Sequence, residues 1–451
     1  MSRTESHRLA DLSRRRFLKV SALAAGAMTL GGPQILRAAG ASGKLNVALV
    51  GCGGQGRSDM RGVMGCGENI IALCDPDENQ IAETKKLSPA LEKAKAFTDY
   101  RKLLDEEKSL DAVIIGTPDH WHAPLCTAFM RAGKHVYCEK PLTHTIAEAR
   151  ALRELARASK VVTQLGNQGS ASASVRRGTE VIKAGALGQV RDIYVWGAGG
   201  VAKEGAADGE DPVPAGLNWD FWCGPSPLCS YKKDVYHPQK WRGWYAFGNG
   251  GLADFGCHGM NLPLRALDLG YPDKVEVPAR DAKGAPLVRY HFAARKNLDP
   301  VTIHWLGSAR PDADLGKDLI TVYKEVPRTG CIIVGEKGSI CTDIWNKGGL
   351  LKLTDEPRLT DITRHAATQS IPESVPRVKN HQEEWCLACK GEGKTYSDFE
   401  IGGLLTEITL SGVVALRVGH TIDWDGEKMQ VKGNPEAAKF IKSEWRKKWI
   451  A

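Results

Sequence analysis

The chain has 451 residues, 42% of them hydrophobic, 25% charged and 7% aromatic, with a formal charge of +8. These values belong to globular proteins of two or three domains and exclude collagen-like, disordered and polytopic membrane classes. Residues 1–41 hold seven basic and two acidic groups, so the remaining 54 basic and 51 acidic residues carry only +3; no concentrated basic stripe is left for a phosphate backbone, which argues against a nucleic-acid partner.

Residues 1–41 have the layout of an export signal. Ser13-Arg14-Arg15-Arg16-Phe17-Leu18-Lys19 precedes a weakly apolar run from Val20 to Leu30 and the small residues Ala38-Ala39-Gly40-Ala41. Gly26, Gly31, Gly32 and Pro33 interrupt the apolar run, which falls short of the roughly 20 apolar residues that span a bilayer. The segment resembles the bacterial twin-arginine signal. That resemblance implies the twin-arginine export machinery as a partner, export of a protein already folded around its cofactor, and a periplasmic location; cleavage is placed after Ala41, leaving no membrane attachment, with a retained membrane anchor as the weaker reading. The twelve cysteines are scattered, and Cys52, Cys74 and Cys138 lie in apolar runs as small buried groups. No zinc ligand set is visible, and Cys386 and Cys389 stand in a helical pattern without a second pair.

From Lys44 the chain alternates apolar strands (Leu45–Val50, Ile70–Cys74, Ala112–Ile115, His135–Cys138, Val161–Leu165) with helical patterns near Gly56–Val63, Asp77–Lys86, Pro124–Ala132 and Ile146–Ser159. Strands apolar on both faces and separated by helices predict a doubly wound parallel sheet over residues 44–165. Thereafter Val190–Trp196, Leu287–Ala293, Val301–Trp305, Cys331–Val334 and Ser339–Thr342 alternate between Gly- and Pro-rich turns. They predict a second, α+β domain over residues 166–420 with a large, mostly antiparallel sheet. Residues 197–240, rich in Gly, Pro and acidic groups, read as a long surface excursion. Residues 421–451 read as an extension whose Lys-rich end, with Trp445 and Trp449, packs back on the body.

The first strand runs into Gly51-Cys52-Gly53-Gly54-Gln55-Gly56, which opens a helix. Gly51 permits a tight turn, Gly53 admits a pyrophosphate, Gly56 lets helix and strand approach, and backbone N–H groups at the helix start face the anion. Gly54 and Gln55 belong to the same turn. Asp75 ends the second strand 19 residues after Gly56, placed to accept hydrogen bonds from ribose hydroxyls. A carboxylate there repels a 2′-phosphate, so the expected cofactor is NAD rather than NADP.

Three segments carry groups for moving the proton of a hydroxyl. Thr117-Pro118-Asp119-His120-Trp121-His122 and Glu139-Lys140-Pro141 follow two strands at their carboxyl ends, where open α/β sheets bind ligands. Gly250-Gly251-Leu252-Ala253-Asp254-Phe255-Gly256-Cys257-His258 lies in the second domain. A helix there would set Asp254 and His258 on one face. Pro263 would clash with the carbonyl of Gly259 in a continuous helix, so a start nearer Asn261 is the alternative. Thr117, Glu139, Lys140 and Arg242 are assigned to the cofactor; of His120 and His122, one is expected to line the cofactor and the other to cap the following helix, with His122 given to the cofactor.

Together, GxGxxG, Thr-Pro-x-x-x-His, Glu-Lys-Pro and Gly-Gly-x-x-Asp-x-Gly-x-His resemble the Gfo/Idh/MocA oxidoreductases from about residue 44 to 420, with Trp241-Arg242 and the Gly335–Ile340 hairpin also fitting. The resemblance implies a sugar, glycoside or cyclitol substrate, hydride transfer to NAD, a catalytic set of Lys140, Asp254 and His258, and a homo-oligomer. Lys140 is assigned to orient the reacting hydroxyl, His258 to accept its proton and Asp254 to hold both. This chain has Asn261 where an aspartate is common in the family, so Asn261 is assigned to substrate binding rather than to a proton relay. Nine of the 31 aromatics fall between Trp219 and Phe247. Such density suits stacking on a sugar ring, with Trp241 and Trp244 as substrate contacts and Asp220, Lys240 and Arg242 available for hydroxyls. Two other functions stay open: an NAD-dependent glycoside hydrolase that oxidises its sugar transiently, and a noncatalytic sugar-binding protein.

Overall fold

The computed structural model describes residues 43–449 apart from 198–199, 279–285 and 296–297. The export-signal expectation therefore lies outside the described residues.

Six parallel strands form the first sheet: β1 (Asn46–Val50), β2 (Asn69–Cys74), β3 (Lys95–Phe97), β4 (Ala112–Ile115), β5 (His135–Glu139) and β6 (Thr163–Gly166), in the order β3-β2-β1-β4-β5-β6. Every residue of β4 and β5 is buried, as a sheet covered on both faces requires. The strand order reverses between β1 and β4, which opens a crevice at the carboxyl ends. β3 was not expected: only Phe97 of its three residues is buried, so it leaves no apolar run in the sequence.

The second sheet has ten strands: β7 (Val190–Trp196), β8 (Lys274–Glu276), β9 (Val288–Phe292), β10 (Val301–Trp305), β11 (Gly330–Gly335), β12 (Gly338–Thr342), β13 (Leu350–Leu353), β14 (Thr360–Asp361), β15 (Ile422–Asp425) and β16 (Gln430–Val431). They run in the order β14-β13-β12-β11-β7-β10-β9-β8-β15-β16. β7 and β10 are parallel, and the other pairs are antiparallel. Burial alternates along β9 and β10, the mark of a sheet with one covered face.

That face is covered by two helices, Gly250–Gly259 and Phe399–Val418. Glycines let them approach closely: a Cβ on Gly259 would lie 2.3 Å from Val195, and one on Gly412 would lie 2.0 Å from the Tyr290 hydroxyl. Phe399–Val418, capped by Asp398 and ended by Gly419 at φ 85°, is long and apolar enough to cross a membrane by length and composition. Most of its apolar stretch is buried, because it also packs on the helix Ile146–Ser159 and on β6. Arg150 and Arg153 bind the nearly buried Glu407 at 2.7 Å across that contact.

Residues 200–216 are mostly exposed, as their composition predicts, but from Leu217 onward the segment is not a solvated excursion. Leu217, Trp219, Trp222, Cys223, Tyr231, Tyr236, Trp241 and Phe247 form a buried cluster, with Trp219 and Trp222 stacked at 4.6 Å. Apolar ring burial outweighs the polar loop around it. Asp220 is not free for a ligand hydroxyl, since it is ion-paired to Arg446 and Lys448 at 2.5 and 2.6 Å. The same C-terminal stretch seats Trp449 against Phe221 and Trp121.

Candidate active site

At the carboxyl ends of the parallel strands lies a cleft of about 580 Å³, lined among others by Gly51, Gly53, Gly54, Gln55, Asp75, Thr117, Glu139, Lys140, Trp241 and Arg242. Gly51 has φ +90°, and a Cβ there would lie 2.6 Å from the Gly116 carbonyl carbon; one on Gly56 would lie 2.4 Å from the Gly51 carbonyl oxygen. Those two glycines are required by the protein's own packing. Gly53 is different: its backbone is extended, and a Cβ would meet only Gln80 Oε1, at 3.5 Å. The chain has no steric need for glycine there, whereas a pyrophosphate approaching the backbone does. Gly53 is also the N-cap of the helix Gly54–Gly65 with no side chain capping it, so first-turn N–H groups are left for an anion. Thr117 Oγ1, buried at the cleft wall, has no partner in the protein. Asp75 accepts N–H groups from Cys52 at 2.7 Å and Asp77 at 2.9 Å, and burial pushes its carboxyl up to about 6. These residues fit a dinucleotide.

Lys140 follows β5 directly and is brought against the helix Gly250–Gly259. Its Nζ donates to Asp254 Oδ1 at 2.5 Å and to the Asp254 carbonyl at 2.9 Å. Arg242 Nε reaches the same Oδ1 at 3.3 Å, its guanidinium lying over the Trp241 ring. Burial alone would raise the Asp254 carboxyl, but the charges of Lys140 and Arg242 hold it below the ordinary aspartate range. Asp254 and His258 share one helix, which continues to Gly259 before a second helix starts at Asn261. The break falls where Pro263 lacks an N–H for the Gly259 carbonyl, so of the two arrangements considered the shared helix face is the one observed.

Asp254 does not hold His258 in the way assigned. Its carboxylate is taken up by Lys140 and Arg242, while His258 Nδ1 lies 2.9 Å from Asn167 Oδ1. His258 is buried, and desolvation together with the Lys140 charge pushes its imidazolium well below the usual range, so the ring is neutral.

Three further assignments are corrected. His122 is buried in the first turn of the helix Asp119–Arg131, its ring nitrogens 2.8 Å from the Pro141 carbonyl and 2.9 Å from that of Thr117. It ties together two cleft-lining segments and does not itself line the cleft. Asn261 is fully buried, donating to Ser170 Oγ and accepting from Arg265; no side-chain surface is left for a substrate. Trp244 packs on Tyr236 with Lys203 over its ring and lies outside the cleft lining. Trp241 lines the cleft, 4% exposed.

Four groups were missed. Asp119, at the start of the Asp119–Arg131 helix, is 4% exposed and lines the cleft. Gln168 donates to Glu139 Oε1 at 2.7 Å. Asn167 holds His258. Trp345, 41% exposed, stands 6.5 Å from the His258 ring. A strand carboxyl end was a usable signal for Asn167 and Gln168, just after β6; Trp345, alone in a loop, gave none.

Burial pushes the Asp119 carboxyl up to about 8, although Arg242 opposes the rise. The folded chain therefore holds a proton that the unfolded chain loses near pH 4, and the stability of the fold falls as pH rises from about 4 to about 8. Asp119→Asn is expected to show a smaller drop in Tm between pH 6 and pH 9 than the wild type. Equal drops would refute a buried, protonated Asp119.

A family model described as an oxidoreductase family with an NAD-binding Rossmann fold matches residues 45–167, and the same family's C-terminal α/β domain matches residues 173–305. Levoglucosan dehydrogenase of Pseudarthrobacter phenanthrenivorans is 29% identical over 28% of this chain and 30% of its own length. An alpha-N-acetylgalactosaminidase of Shewanella oneidensis is 32% identical over 23% of this chain and 24% of its own. The chain thus matches less than half the length of these curated relatives. An inositol dehydrogenase homolog of Azotobacter vinelandii, solved with NADH and myo-inositol, shares the fold with a TM-score of 0.58 at 18% identity, over 84% of this chain and 98% of that one. With both domain models matched in order, and the glycine turn, the Lys140–Asp254 pair and the two-sheet architecture in place, the chain belongs to the Gfo/Idh/MocA oxidoreductase family.

Proposed function

We propose that this protein is an NAD-dependent oxidoreductase acting on a hydroxyl or keto group of a sugar, glycoside or cyclitol. The observation that carries the reading is the Lys140–Asp254 pair at a cleft whose Gly53 has no steric reason within the chain. Bound NAD supplies the hydride acceptor. An ammonium has three donors; two of those on Lys140 are spent on Asp254, so the third has a set direction and can orient a substrate hydroxyl. Asp254 keeps Lys140 in place, and neutral His258 accepts the hydroxyl proton. Similarity to the levoglucosan dehydrogenase, and to the fold solved with myo-inositol, supports a polyhydroxylated ring as substrate.

Trp345 supplies a ring-stacking surface that the buried Trp219–Phe247 cluster does not. Its neighbours are anchored: Asn346 Oδ1 accepts from the Leu262 N–H and Asn346 Nδ2 donates to Thr342 Oγ1, while the Lys347 N–H donates to Asp343 at 2.7 Å. The indole itself is left half open beside His258. Trp345→Ala is expected to raise KM for the sugar about tenfold with little change in kcat. An unchanged KM would remove Trp345 from the substrate site.

We also propose, from Ser13 to Lys19 and the segment that follows, that the protein is exported folded by the twin-arginine route to the periplasm, and from the family that it works as a homo-oligomer. Export with cofactor aboard, and the match to a glycosidase, support a second reading in which NAD is retained and recycled during glycoside hydrolysis. The test is to denature the purified protein and identify any released nucleotide, then to follow NADH with myo-inositol, levoglucosan and methyl glycosides. NADH formation supports the dehydrogenase. Stoichiometric bound NAD with hydrolysis and no net NADH supports the recycling enzyme. No released nucleotide together with no binding of added NAD would overturn both.

A further inference from the structure

His258 is useful as a base only if the nitrogen facing the substrate carries a lone pair, and its surroundings determine which nitrogen that is. Asn167, completely buried just beyond β6, is the residue in contact. Its Nδ2 donates to the Cys257 carbonyl at 2.8 Å, and its Oδ1 lies 2.9 Å from His258 Nδ1. A carbonyl only accepts, so Cys257 dictates the orientation of the Asn167 amide. The reverse orientation would press two oxygens together and turn an N–H toward His258. The atom presented to His258 is then also an oxygen, and Nδ1 must carry the hydrogen.

The Cys257 carbonyl is available because it lies in the last turn of the helix Gly250–Gly259, where carbonyls lack in-helix donors. The break at Met260, between the two helices, thus leaves the acceptor that orients Asn167. Asp254, one turn earlier on the same helix, is bonded to Lys140 and Arg242.

We propose that Asn167 is a positioning residue that locks His258 in the Nδ1–H tautomer and so keeps Nε2 free as the proton acceptor. What Nε2 does rests on the oxidoreductase reading; the tautomer does not. The charged and titratable groups facing His258 are Lys140, Asp254, Lys347 and His381. Lys140, Lys347 and His381 disfavour the imidazolium and only Asp254 favours it, so a negative charge at position 167 acts against a net disfavouring field.

The test is nitrogen-15 NMR of the full chain labelled at histidine, with the His258 signals identified by their loss in His258→Gln. The wild type is expected to show a protonated Nδ1 and a bare Nε2 at pH 7. Asn167→Ala is expected to shift the signature toward Nε2–H, and to lower kcat about 10²-fold while KM changes little. Asn167→Asp serves where the alanine variant does not fold. It retains the acceptor and Nδ1–H but adds a negative charge, so His258 should protonate at higher pH and the acid limb of the pH–rate profile should move upward. A wild type with Nε2–H would overturn the proposal, as would an Asn167→Ala protein with an unchanged tautomer or an Asn167→Asp protein with an unmoved His258 titration. A wild type showing Nδ1–H that oxidises no sugar would support the lock and refute the oxidoreductase reading instead.

Discussion

Lys140→Met is expected to lower kcat for sugar oxidation by about 10³-fold while leaving NAD binding within a few-fold of wild type. Methionine has nearly the length of lysine and no donor, so the variant removes the oriented N–H and the charge but keeps the bulk. General acid–base and orienting groups contribute about 10²–10⁴-fold, and here one donor direction is fixed by two bonds to Asp254. The fold should survive, because Asp254 retains Arg242 as a partner at 3.3 Å and is not left as an unpaired buried charge. Steady-state kinetics with a Tm control decide the matter. A variant with wild-type kcat would mean that Lys140 is structural, and the proposed chemistry would fall with it.

Gly53→Thr should abolish useful NAD affinity without harming the protein. Threonine is about as good an N-cap as glycine and accepts the extended backbone found at position 53. Its Cβ would meet only Gln80 Oε1 at 3.5 Å, so Tm should hold. A side chain in the path of a pyrophosphate is expected to weaken NAD binding at least about 100-fold, or about 2.8 kcal/mol. Gly51→Ala makes the contrasting case: its Cβ would strike the Gly116 backbone at 2.6 Å in a left-handed conformation, so that variant should lose folding as well. Calorimetry on both separates a glycine kept for the ligand from one kept for the chain. Unchanged NAD affinity in Gly53→Thr would place the dinucleotide elsewhere.

Elements with strong one-dimensional patterns were legible in advance. β4 is an unbroken apolar run, and β1 and β5 are apolar apart from polar end residues; the glycine turn, Asp75 and Lys140 follow strands in a way that places them at one end of a parallel sheet whatever their rotamers. β3 escaped because a three-residue edge strand with one buried residue has no periodicity to detect. Side-chain direction was the harder quantity. Asn261 and His122 stand beside functional residues in sequence but turn into the core, where Arg265 and the Thr117 and Pro141 carbonyls occupy them. The aromatic run from Trp219 to Phe247 carries the same residue types whether it stacks on a sugar or on itself, and composition does not distinguish the two. Asn167 meets His258 across 91 residues, a contact that spacing along the chain does not encode.

The measurement that bears most directly on the account is hydrogen transfer itself. The protein with NAD is incubated with myo-inositol, levoglucosan and methyl glycosides deuterated at their ring carbons, and the nucleotide is then released and weighed by mass spectrometry, with Lys140→Met run in parallel. Net hydride transfer from a carbohydrate carbon predicts deuterium on the nicotinamide of the reduced cofactor with at least one sugar, and none in the variant. A nucleotide that binds but stays unlabelled with every sugar, or labels equally without Lys140, would contradict it.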